Sequence, residues 1–349
     1  MIVVPPLEIT DSILTSSTVS EPHAPSNYNS GTTYAKGAFV TDAATLVVYE
    51  SQQSSNTGNT PASSPLWWEA VGYKEVAWNA ATAYTAAVTD KVYYQHRIYQ
   101  SILAGTGKNP YSEPLYWEDI GPTMKWAMFD TKRNTATVGT SSMVTVVTPG
   151  TRVNTLAVLG VEADTVQVQM TSSAVPVYDV TADLITRGAA TWYDYFFQKF
   201  RQENSYLFQN LPPFTNGVIT VTFTRASANP RCGALVVGSK VELGTTQKNP
   251  NDDILNFSTI ERDIFGNSTL IQRRTAPKTT QTVFADPSLL AGIRAARVSL
   301  NAQPAVYAGL TNNDSDYFPS LLILGIYKGW SIALTRPTQA IQTIELEEV

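Results

Sequence analysis

Two histidines, His23 and His96, and one cysteine, Cys232, are all the imidazole and thiol in this chain of 349 residues. Nucleophilic catalysis by serine or cysteine needs a neighbouring base, most often histidine. Both histidines precede residue 97, so no Ser-His-acid or Cys-His site can be built within the C-terminal part alone. Cys232 has no histidine near it in sequence and reads as a small buried side chain. There is no P-loop, no dinucleotide fingerprint and no Cys/His metal spacing. Two acidic loops, Asn249–Asp253 (NPNDD) and Asn312–Asp316 (NNDSD), carry the oxygen ligands that calcium takes, but Asn/Asp turns between strands are the favoured reading of both. A glycosidase needs only two carboxylates at a set separation, and nothing singles out a pair among the 29 acidic residues. The expectation is a non-enzymatic chain with no metal and no cofactor.

The remaining chemistry is aromatic. Residues 65–72 read PLWWEAVG and residues 114–121 read PLYWEDIG. The echo extends upstream: Tyr28 and Tyr34 are six apart, as are Trp78 and Tyr84, and Tyr34 to Tyr49 spans fifteen residues, as does Tyr84 to Tyr99. Gly58 and Pro61 answer to Gly107 and Pro110 after the loss of one loop residue. A fixed-period echo marks a duplicated structural unit. Tyr34, Tyr49, Trp68, Trp78, Tyr84, Tyr99 and Trp117 repeat in register and read as the cores of two modules, because units this small rely on aromatics of ~150–250 Å² each for buried area. Tyr93, Tyr111, Tyr116 and Trp67 do not repeat as aromatics or lie on loops. They are the candidate exposed rings for stacking a sugar or a protein neighbour. The octapeptide itself reads as a closing strand with one aromatic in and its neighbour out.

These residues need elements to hold them. Residues 1–27 carry Pro5, Pro6, Pro22 and Pro25 and read as an extended arm, with one strand around Leu7 to Leu14. Residues 28–73 and 74–122 are the two modules, made of short strands between Gly, Asn, Ser and Pro turns. Tyr93–Tyr99 reads as a hairpin with Gln95-His96-Arg97 at its tip. From residue 123 to 349, β-branched runs recur, among them Met143–Thr148, Val153–Leu159, Thr165–Met170, Val218–Thr224, Ala234–Leu243, Leu321–Tyr327 and Ile341–Leu346. Several alternate at period two, and many short strands at this spacing predict a β-sandwich or jelly roll. Leu289 to Leu300 has helical spacing. Trp192, Phe196 and Phe200 fit a helix, while Tyr193, Tyr195 and Phe197 alternate as a strand would. The fold class expected is all-β: two tandem small antiparallel modules followed by a sandwich.

Composition sets the partners. Charged residues are 15%, well under the ~25% of an average soluble domain. Net charge is −5, and Lys36 is the only Lys or Arg before Lys74. Nucleic acid needs clustered cations, so it is not expected as a partner. The longest apolar stretch, LLILGIY from Leu321, is too short to span a bilayer, and MIVVPPLEIT lacks the pattern of a signal peptide.

The pattern W/Y-x5-Y, a hairpin ending in Y-x-S, a proline-containing loop and a closing Trp resembles the small chitin-binding-type carbohydrate-binding module. Asp90, Val92, Tyr94 and Tyr99 sit at the spacings of that family's D-x-V-x-Y-x4-Y core. Ile102-Leu103 stand where the family has tandem tryptophans, and Thr89 and His96 where glycines are usual. The junction GPTMKWAMFDTK (Gly121–Lys132) is similar to one in tailed-bacteriophage virion proteins, where such modules precede a β-rich domain. A weaker likeness continues through Gly233–Gly238 and Asp263–Gly266. The resemblance implies a homo-oligomeric tail, tail-tip, baseplate or collar component in the virion, assembled in the host cytoplasm. Its partners would be other tail proteins, copies of itself and bacterial surface polysaccharide. The other reading is a free glycan-binding protein, or the binding portion of a secreted polysaccharide hydrolase.

Overall fold

Strand Thr155–Glu162 (TLAVLGVE) and strand Arg231–Gly238 (RCGALVVG) are buried almost end to end. A strand covered on one face alternates; unbroken burial means that both faces are covered. In the computed structural model, which describes all residues except 22–24, 46, 141, 187–190, 198–200, 227, 248–249, 263–264, 314–316 and 335–338, these two strands pair antiparallel, Leu156 opposite Val237 and Leu159 opposite Ala234. Thr137–Val138 and Ser205–Gln209 complete a four-stranded sheet around them.

A five-stranded sheet covers one face, in the order Val175–Asp183, Thr165–Ser172, Gly217–Thr224, Ser142–Val147 and Leu14–Ser17. Here burial does alternate: Val166, Val168 and Met170 point inward onto Leu156, Val158, Leu235 and Val237. An eight-stranded sheet covers the other face, where Ile2, Val4, Val306 and Leu324 meet Ala157, Leu159, Leu207 and Val236. The far side of that sheet is closed by helix Leu290–Ser299, whose Ile293 packs with Tyr307, Trp330 and Ile344. Three sheets and a helix are therefore stacked. Each fully buried Val or Leu contributes ~1.5–3 kcal/mol relative to exposure, so the doubly covered middle sheet is the main apolar reservoir.

The molecule is all-β in character, as expected. The pair of sheets expected of a sandwich is present in the five- and four-stranded sheets, and a third sheet was not anticipated. The N-terminal residues also differ from the expected arm. Ile2–Val4 lies inside the eight-stranded sheet between Val241–Glu242 and Ala305–Ala308, and Leu14–Ser17 edges the five-stranded sheet, so no strand occupies residues 7–13. Four apolar residues ahead of Pro5-Pro6 are too few to show periodicity; tertiary pairing makes Ile2–Val4 a strand. Leu321–Tyr327, read as a strand of its own, is the first part of one longer strand, Leu322–Ala333, with an irregularity between Tyr327 and Gly329. Trp192–Phe197 is a helix, and Phe200 lies outside the described residues.

The duplicated segments fold alike. Phe39–Thr41, Val47–Ser51 and Trp68–Tyr73 form one three-stranded sheet. Lys91–Tyr94, Arg97–Ser101 and Trp117–Pro122 form the matching strands of the second segment. Ser51 faces Trp68 as Ser101 faces Trp117, and Tyr49 faces Ala70 as Tyr99 faces Asp119. Each closing strand then bulges, at Val71 and at Ile120, before Val48 pairs with Gly72 and Ile98 with Gly121. One short parallel pairing enters each sheet, Asn27 with Thr41 and Val76–Ala77 with Val92–Tyr93.

Candidate functional site

The repeated aromatics have repeated jobs. The Trp68 indole Nε1 donates to the Asn59 carbonyl at 2.8 Å, and Trp117 Nε1 donates to the Lys108 carbonyl at 2.9 Å. Tyr34 meets Trp68 edge-on at 5.3 Å between centroids, and Tyr84 meets Trp117 at 4.8 Å. The six-residue spacing also has a cause: the Tyr34 hydroxyl accepts from the Asn29 N–H at 2.8 Å, and the Tyr84 hydroxyl from the Asn79 N–H at 3.0 Å. Each ring reaches back over its turn to satisfy the residue that follows the first aromatic. Trp68, Tyr84, Tyr99 and Trp117 are buried, whereas Tyr34, Tyr49 and Trp78 are half-buried. Trp78 packs edge-on against Tyr94 at 5.3 Å.

The four candidate stacking rings do not gather on one surface. Tyr111 is 72% exposed, on the loop held by Asn109, whose Nδ2 donates to the Tyr94 hydroxyl at 3.2 Å. Tyr93 is half-buried and lies on the sheet face opposite Tyr94, because successive strand residues alternate; it lines a shallow recess with Glu21, Trp78 and His96. Tyr116 is half-buried against the second module's core, with the Lys108 ammonium 4.6 Å from its ring centroid. Trp67 is half-buried in the first module beside buried Trp68. The exposed apolar positions that repeat are others: Leu66 with Leu115, and Val71 with Ile120. Ile102 and Leu103 join Leu115 on the surface, their N–H groups donating to the Tyr116 carbonyl.

Sequence reading missed the junction at His96. The hairpin tip is the two-residue turn Gln95-His96, with φ of 48° and 65°. Two positive φ values in a row mark a turn that favours glycine, which is why a histidine here needs compensation of ~1–2 kcal/mol. The compensation is lateral. His96 stacks on Trp126 at 4.1 Å, Nδ1 lies 3.1 Å from Glu21 and Nε2 3.0 Å from Asp11. Only the imidazolium form offers an N–H to both carboxylates at once. Glu21 also accepts from the Thr123 hydroxyl at 2.7 Å and the Trp126 indole at 2.9 Å. The second module is thereby tied to the N-terminal segment and the start of the sheet body.

A cleft of about 460 Å³ opens where both modules meet the body. Phe39, Val48 and Ile98 give it apolar walls; Glu50, Glu75 and Arg231 charge it. Burial holds the Glu75 carboxyl above the usual carboxylate range, with Lys91 opposing, and does the same to Glu50 against Arg231. None of Tyr93, Tyr111, Tyr116 or Trp67 lines it. Cys232 is fully buried, and burial pushes its thiol far above the ordinary range, which suppresses the thiolate needed for nucleophilic work. Asp252 and Asp253 are successive residues of strand Asn251–Asn256 and point to opposite faces. Asn313 instead clamps Leu207, accepting from its N–H at 3.2 Å and donating to its carbonyl at 2.9 Å. Residues 249 and 314–316 of the two acidic loops, and His23, lie outside the described residues. Among the described residues no group of three His, Cys, Asp or Glu converges as for a metal, and no helix is long and apolar enough to cross a membrane. Comparison with protein-family models, curated proteins and solved structures returns no match.

Proposed function

We propose that this chain is a non-enzymatic structural component of a bacteriophage tail, in its tip, baseplate or collar, whose two modules present an attachment surface for host glycans or for fibres. The observation that carries the reading is the duplicated aromatic module itself. Two copies with the same indole-to-carbonyl bond and the same tyrosine-to-turn bond belong to a unit repeated for valency, and the junction sequence after the second copy resembles that of virion proteins. Multivalency fits such a unit, because weak single contacts multiplied over linked sites raise avidity by ~10²–10⁴. The stacked sheets supply a rigid base, and the His96–Glu21–Trp126 junction holds the second module in one orientation on it. Tyr111, the most exposed of the candidate rings, is the residue assigned to sugar stacking.

The test is adsorption of assembled particles to host cells with Tyr111→Ala, and with Tyr93→Ala as the comparison on the other sheet face. Loss with Tyr111→Ala and retention with Tyr93→Ala supports the assignment. Unchanged adsorption of both variants in normally assembled particles reduces the modules to spacers. Finding no copy of this chain in purified particles overturns the virion reading.

A further inference from the structure

A ribbon extends from the edge of the eight-stranded sheet. Asn251–Asn256 pairs with Thr275–Thr280, and beyond it Thr259–Arg262 pairs with Ser268–Ile271. The outer pair belongs to no larger sheet among the described residues, and its strands are exposed on both faces. An isolated two-stranded hairpin is marginal in water, yet this one carries apolar residues where a solvated ribbon would be polar. Ile254, Phe257, Ile260, Phe265 and Leu270 are 60%, 51%, 61%, 83% and 74% exposed. Ile260 and Leu270 are direct cross-strand neighbours, so they present one continuous apolar spot.

We infer that this ribbon is a self-assembly element that packs against the same ribbon of a second copy of the chain. The inference rests on the proposed assembly of the protein with copies of itself, and names the surface responsible. Area and charge select this occupant. Five side chains at these exposures put roughly 500 Å² of apolar surface in water. A standard interface buries ~800 Å² per partner, of which ~57%, or about 450 Å², is apolar. One ribbon therefore offers what one side of a stable interface requires. Its exposed charges are balanced, with Asp252, Asp253 and Glu261 against Arg262, Arg273 and Arg274, so it carries no net field to draw nucleic acid, an anionic lipid surface or a strongly charged protein. A two-fold axis makes such a patch self-complementary. Among the described residues no third strand lies beside the outer pair, which leaves its edges as a template for strand pairing.

The experiment is light scattering on the full chain over a range of concentrations, comparing wild type with the double variant Ile260→Ser, Leu270→Ser. Both positions are exposed, so circular dichroism and the melting temperature serve to establish that the variant is folded. The expected result is wild type at a multiple of 38.1 kDa and the variant at the monomer mass with an unchanged melt. Wild type that stays oligomeric together with a variant that does so equally overturns the ribbon assignment alone, leaving self-assembly to another surface. A wild type that is monomeric throughout overturns the ribbon assignment and the self-assembly reading together.

Discussion

Removing the Glu21 carboxylate tests the junction that orients the second module. The carboxylate side chain is 12% exposed and accepts from Thr123, Trp126 and His96. Thr123 and Trp126 are themselves buried, at 1% and 6% exposure. Each buried donor left without an acceptor costs ~1–3 kcal/mol, and the half-exposed contact with His96 adds ~0.2–1 kcal/mol. Glu21→Ala is thus expected to destabilise the junction by about 2–7 kcal/mol. Glu21→Gln keeps the shape but presents an amide NH₂ to one of the donors, for about 1–3 kcal/mol. Asp11→Asn, at a 75% exposed side chain, is expected within ~0.5 kcal/mol of wild type. The reporter is the Thr123 amide, which donates to the His96 carbonyl at 2.8 Å across the junction, because hydrogen exchange reads local opening free energy directly. At ~1.4 kcal/mol per tenfold, Glu21→Ala should speed exchange of that amide by more than about thirtyfold, with Glu21→Gln between it and wild type. A change under threefold in Glu21→Ala, or a larger effect from Asp11→Asn, would refute the account of Glu21 as the hub.

Trp68→Ala and Trp117→Ala should each cost about 3–5 kcal/mol and make only their own module susceptible to proteolysis; a variant whose two modules are cut alike would contradict the separate cores formed around Trp68 and Trp117. Cys232 should resist alkylation in the folded chain and react fully in denaturant; rapid native labelling would contradict its burial. Burial raises the Glu75 carboxyl in the folded state, so ionisation opposes folding: this destabilisation is absent below the unfolded-state carboxylate range, grows as pH rises through the gap to the raised folded value, and persists at neutral pH. Glu75→Gln should therefore be more stable than wild type at pH 7 relative to their difference at pH 3, measured by urea denaturation. Gly325→Ala should destabilise strongly, since a Cβ there would stand 2.0 Å from the Glu347 carbonyl oxygen; an unchanged melting temperature would show that the strand pair can part without cost.

By itself the sequence determined what is local or periodic. The doubled octapeptide and the six- and fifteen-residue spacings located both modules, because each contact that uses them, such as Tyr34 on Asn29 and Trp68 on Asn59, closes within one repeat. Alternation in Thr165–Ser172 announced a strand with one buried face, and helical spacing announced Leu290–Ser299. The positions of the two histidines, both before residue 97, limit the chemistry open to the rest of the chain. What only the tertiary structure decided is which surfaces meet. TLAVLGVE is apolar throughout, but composition does not say that a third sheet covers its second face. Ile2–Val4 has no periodicity of its own and becomes a strand through neighbours at residues 241–242 and 305–308. His96 stands alone in sequence, and its partners lie 75 and 85 residues away. Tyr93 and Tyr111 look equivalent on paper, yet the pleat of Lys91–Tyr94 turns Tyr93 to the face opposite Tyr94, while Asn109 ties the loop of Tyr111 to Tyr94 itself. Local propensity sets the faces of each element; long-range packing, which no short window of residues contains, chooses what each face touches.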